Sequence, residues 1–265
     1  KVIKGIILIL TISTILALII AFSKQDGSIG FTQVFPNGSE LFFLIAFMGW
    51  MPAPMDISIW HSIWVIEKRQ TLNNKLSVKD GLFDFNVGYF TTVFLGICFV
   101  GLGALVMHGS GLDFSNKGGE FAGQLIDLYT RNLGESSYLV ISIAAFTTMF
   151  STTITTLDAS PRAMSKASQL IFNKKNKDFY LLWICILALG TSLVFLMLLT
   201  EMGLLVQIAT VLSFITAPFY AFLNYRLIYS SHMPLNERPG LKTKILSISG
   251  ILFLFGFSII YLLSL

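Results

Sequence analysis

The residues best placed to do chemistry lie in "FMGWMPAPMDISIW", Phe47 to Trp60, inside an apolar stretch long enough to cross a membrane. Gly49, Pro52 and Pro54 break that stretch near its middle. Each proline lacks an N–H and crowds the preceding turn. Pro52 therefore frees carbonyls near Met48 and Gly49, and Pro54 frees those near Trp50 and Met51. A helix that stops this way ends in bare oxygens that carry partial negative charge. Hydrocarbon tolerates such an end only where it is buried in protein or lines a cavity, and in membrane transporters it is where cations bind. Met51 adds a thioether, a better ligand for transition metals than for magnesium or calcium. The plain alternative is a proline kink with methionines filling a core.

Four other residues could move or hold charge. Asp56 lies at mid-membrane by sequence. It is either an ion or proton group or a carboxylate complementing the positive end of a half-helix that Pro54 begins. His61, between Trp60 and Trp64, is a candidate proton relay, or an interfacial ring that only anchors. Asp158 and Arg162 are four apart, so one helix face pairs them as a structural or gating ion pair. The run Thr147, Thr148, Ser151, Thr152, Thr153, Thr155 and Thr156 can bond helix carbonyls, cross to other helices, or line a wet path. Gln207, Thr210 and Ser213 share a further face.

The elements that must position these groups are membrane helices. Of 265 residues 54% are hydrophobic and 12% charged, about half the charge of a soluble domain. Seven segments are long and apolar enough to cross: about 4–22, 41–66, 85–108, 137–158, 179–200, 203–228 and 244–264. The second is the discontinuous one. Between the third and fourth, Phe121, Leu125, Ile126 and Leu128 fit a short amphipathic helix lying outside the membrane. With the first residues cytoplasmic, fifteen of the 18 Lys and Arg fall inside, which leaves the carboxyl terminus outside. Cys98 and Cys185 sit in apolar runs and read as small buried side chains. Nothing marks a nucleic-acid partner. Asn37 begins a weak glycosylation match on the outer side.

"GWMPAPMDISIWHSIWVIEKR" resembles the sixth span of the Nramp family of proton-coupled divalent-metal transporters. There a Met-Pro pair follows a small residue and opens into an inner half-helix bearing histidines. "FSTTITTLDASPRAM" is similar to that family's eighth span, and "GLLVQIATVLSFITAPFYAFLNYRLI" to its tenth. The resemblance implies that the chain corresponds to spans five to eleven of an inverted-repeat fold of the leucine-transporter kind. It would be one transmembrane domain over residues 1–265, with four amino-terminal spans of the same protein missing.

The resemblance also assigns ligands. Met51 keeps the sulfur ligand, while Met48 and Gly49 supply backbone carbonyls. Aligning on Pro218 places Thr210 where the family has a glutamine ligand, whereas an ungapped alignment places Ala209 there. The motif histidine is replaced by Ala53, and Ser58 stands where the second one occurs. The family's Asp-Pro-Gly-Asn motif is absent from these residues, so the chain holds half a site. The activity this implies is import of manganese- or iron-type divalent cations across a bacterial plasma membrane. The partners are the lipid bilayer, the metal ion and protons; the protein uses no resident cofactor and is not an enzyme. Two rivals stand beside it: an amino-acid or other organic-solute permease of the same fold, and a membrane accessory protein that transports nothing.

Overall fold

The computed structural model describes residues 2–24, 39–51, 53–71, 77–106, 115–174, 177–198 and 200–264. Among them the protein is helical, without a strand. In chain order the helices are α1 (Val2–Ser23), α2 (Ser39–Trp50), α3 (Ile57–Thr71), α4 (Val78–Val106), α5 (Gly118–Leu133), α6 (Tyr138–Ile171), α7 (Tyr180–Leu198), α8 (Met202–Ile228) and α9 (Leu241–Ser264). Six of these helical segments are long and apolar enough to cross a membrane, and the chain is an integral membrane protein. The expected second span is the exception to that count: it forms two short helices, α2 and α3, with the break between them.

Most boundaries fall within a few residues of the hydropathy limits. The expected fourth span, 137–158, differs: α6 runs on to Ile171 with Pro161 inside it. Its 34 residues span about 51 Å, well beyond a hydrocarbon core of about 30 Å. Hydropathy ends where the apolar residues end, but the helix continues into the polar region because its hydrogen bonds do not depend on lipid. The hydroxyl run is now placed as well. Thr148, Thr152, Thr153, Thr155 and Thr156 each donate to the carbonyl four residues earlier, at 2.8–3.0 Å.

The chain divides into two compact units, residues 1–30 with 59–204, and residues 31–58 with 205–265. In the first, the expected amphipathic helix is α5. It packs its apolar face on α1, α4 and α6 around Ala17, Ala21, Leu102, Leu128, Tyr129 and Ile141. Thr14 donates to the Leu10 carbonyl at 2.8 Å, which leaves its oxygen to accept from the Tyr129 hydroxyl at 2.8 Å. Burial pushes the Tyr129 phenol up to about 12. In the second unit, Ile45 of α2, Phe214 of α8 and Tyr261 of α9 form the core, with Met48 packed against it. Cys98 is buried as expected, but Cys185 is exposed. Asn37 lies outside the described residues.

Candidate functional site

The break is built from the last turn of α2. The Met51 amide donates to the Phe47 carbonyl at 3.0 Å, the last bond of that helix. Residue 52 has no N–H to offer Met48, and residue 54 none to offer Trp50. Among the described residues, no backbone N–H beyond the helix bonds the Met48, Gly49 or Trp50 carbonyl. Pro52 itself lies outside the described residues. The chain then turns: the Ile57 amide reaches the Pro54 carbonyl at 3.2 Å and the Ser58 amide reaches that of Met55 at 3.2 Å. Pro54 thus sits in the turn that opens into α3.

Two contacts seat this end of α2 on α8. Gly49 is buried, and a Cβ there would run into the Thr210 carbonyl oxygen, with the Phe214 Cβ at 3.2 Å. Only glycine lets the two backbones approach so closely. One residue on, the Trp50 indole donates to the Ser213 hydroxyl at 3.0 Å. Gly49 and Thr210 are therefore brought together. Thr210 is 6% exposed, and its hydroxyl hydrogen is engaged by the Val206 and Gln207 carbonyls at 2.8 and 2.9 Å. The hydroxyl's lone pairs remain for another ligand. Gln207, on the same nominal face, is exposed.

The methionines part company. Met48 packs its side chain into the α2–α8–α9 core, so its backbone carbonyl is what it can offer a cation. Met55 lines a groove beside α8 and α9. Met51, half-buried at the bend, is the thioether left at the helix end. Asp56 is half-buried too and stands directly before α3, and among the described residues no donor bonds its carboxylate. No three of the described His, Cys, Asp and Glu side chains lie close enough to hold a metal ion.

The remaining candidates lie in the other unit. His61 of α3 packs edge-on against Phe85 of α4, ring centres 5.4 Å apart. Asp158 and Arg162 form the expected pair, with the guanidinium Nε donating to both carboxylate oxygens at 2.8 and 2.9 Å. Two partners join that spacing alone could not supply. The Trp64 indole of α3 donates at 3.4 Å and the Tyr180 hydroxyl of α7 at 3.2 Å. The Arg162 guanidinium also lies 5.3 Å from the Tyr180 ring centre. Below this cluster the Ser165 hydroxyl donates to Asp178 at 3.0 Å. The Tyr180 amide donates to the same Asp178 oxygen at 2.9 Å. Those bonds, the backbone one foremost, hold the exposed Asp178 carboxyl below the usual carboxylate range. A cavity of about 420 Å³ opens beside them, lined among others by Glu67, Arg162, Lys166 and Asp178. In the sequence, their aromatic side chains were the sole trace of Trp64 and Tyr180 as partners.

A family model described as natural resistance-associated macrophage protein-like matches residues 1–264. An uncharacterized protein of Pasteurella multocida (strain Pm70) is 36% identical over 266 residues, covering 98% of this chain. The chain spans 60% of that relative's length. No solved structure matches.

Proposed function

The chain belongs to the Nramp family, and from that premise we propose that the complete protein imports divalent transition-metal cations. Members of this family are transporters, not enzymes. In this reading the protein is a proton-coupled secondary transporter of manganese or iron type, sitting in a bacterial plasma membrane. Its amino-terminal residues face the cytoplasm and its carboxyl terminus the outside. Helices α2 and α3 together make one discontinuous span of an inverted-repeat fold. Transport proceeds by alternating access around a midplane site.

The observation that carries the reading is the end of α2. Among the described residues the carbonyls of Met48 and Gly49 lack backbone donors, Met51 stands beside them, and Thr210 of α8 is packed against Gly49. Partially negative oxygens with one sulfur suit a borderline cation better than magnesium, which prefers an all-oxygen octahedron. A cation there still needs anionic ligands. Spans outside this sequence supply them, since no acid of the family's first-span motif occurs here. Asp56, half-buried near the break and without a hydrogen bond among the described residues, is the nearest carboxylate by sequence and takes the proton or gating role. The Asp158–Arg162 pair acts as a gate on its own unit. His61, seated on Phe85, is the weaker relay candidate.

The test is uptake by the complete protein in liposomes. Manganese enters above the level of empty vesicles, and an inward proton gradient accelerates it. Uptake of an amino acid with none of manganese would instead favour the permease reading, and uptake of neither the accessory one.

A further inference from the structure

In the unit formed by residues 31–58 and 205–265, α8 and α9 border a groove of about 280 Å³. Its walls include Met55, Ala221, Ile228, Gly250, Ile251 and Leu254. Three of the polar groups along it have a hydrogen engaged elsewhere. The Ser247 hydroxyl donates to the Thr243 carbonyl at 2.8 Å, and that of Tyr229 to the Pro239 carbonyl at 3.3 Å. The Asn224 amide donates to the Ser58 hydroxyl at 3.1 Å. Such a wall offers water few partners and suits hydrocarbon. Gly250 lines the slot, and a Cβ there meets nothing within 4 Å, so a side chain can be added at this position without a clash.

The stretch from Arg226 to Lys244, which includes residues lining the slot, is rich in cations. The Lys244 ammonium lies 5.7 Å from the ring centre of Tyr229, which itself lines the groove. Arg226, Lys242 and Lys244 are exposed. Arg238 is turned inward onto the Ser230 and Met233 carbonyls at 2.6 and 3.2 Å. Glu237 is the sole acid between residues 226 and 244. An apolar slot beside an excess of cations matches a hydrocarbon tail with an anionic head. We propose that this groove binds one acyl chain of an anionic phospholipid, with the lipid phosphate meeting Lys244. Met55 belongs to the turn that comes after the α2 break, so the bound tail packs against that turn. Free phosphate shares the head-group chemistry but has nothing to fill the slot.

The whole chain in mild detergent is offered phosphatidylglycerol or phosphatidylcholine. Lipid retained per chain is counted by native mass spectrometry, and the melting temperature is recorded alongside. The wild type holds one phosphatidylglycerol in preference to phosphatidylcholine and melts higher with it. Gly250→Leu fills the slot and loses both lipids. Lys244→Gln keeps a tail but lowers the preference about fivefold, one cation's share at a lipid surface. Equal retention of the two lipids by the wild type overturns the proposal, as does undiminished retention by Gly250→Leu. A melting shift reproduced by inorganic phosphate alone also overturns it. Should Gly250→Leu fail to fold, an unchanged preference in Lys244→Gln is decisive against it.

Discussion

The end of α2 and the Asp158 cluster are opposite solutions to placing polar groups in a membrane protein. At the first, prolines strip donors from carbonyls and nothing among the described residues restores them. At the second, one carboxylate gathers a guanidinium, an indole and a phenol from three helices. A saturated network fixes geometry, whereas an unsaturated one is tolerated where it lines a cavity or meets a ligand. Under the proposed function, cargo contact falls to the first and mechanical control to the second.

Substitutions break the contrast to different degrees. The largest effect is expected of Gly49→Val, which drives side-chain carbons into the Thr210 carbonyl and costs about 3 kcal/mol. Thermal unfolding in detergent should register it, together with lost uptake. Met51→Ala comes next and separates function from fold: manganese uptake drops by about 10- to 100-fold, the scale of losing metal-site support, while stability changes by about 1 kcal/mol. An equal loss in both would make Met51 a packing residue. Asp158→Asn keeps the shape but removes the charge. Its pair is over a third exposed, at 35% and 38%, so about 1–2 kcal/mol is expected from unfolding curves. Asp178→Asn is the smallest and reads as pH dependence. Its carboxyl is held low by the Tyr180 amide and the Ser165 hydroxyl, so its stabilisation is present above the ordinary carboxylate pKa. It is lost as pH falls through the lowered value. The melting difference between wild type and variant should therefore persist at neutral pH and close in acid.

Much of this was legible along the chain. Proline spacing located the break, because a missing N–H is a property of one residue. The i,i+4 spacing of Asp158 and Arg162 foretold their pair, because one helix carries both. Hydropathy marked the spans but stopped α6 thirteen residues early, since it tracks lipid contact and not backbone bonding. Of the seven hydroxyls in the Thr run, five are bonded to carbonyls within α6, which the sequence left open. Asp56 was legible as a residue at the start of the second half-helix, and it stands directly before α3.

By itself, then, the sequence determined where helices run, where one breaks and which neighbours on a helix can pair. Those depend on residue chemistry and on the 3.6-residue repeat. Only the tertiary structure decided that Gly49 meets Thr210, that Met48 packs into a core while Met55 lines a groove, and that Trp64 and Tyr180 converge on Asp158. Residues 94 and 22 positions from Asp158 share no local rule with it. Their meeting is settled by how whole helix faces pack, which is a sum over many contacts that no short motif contains.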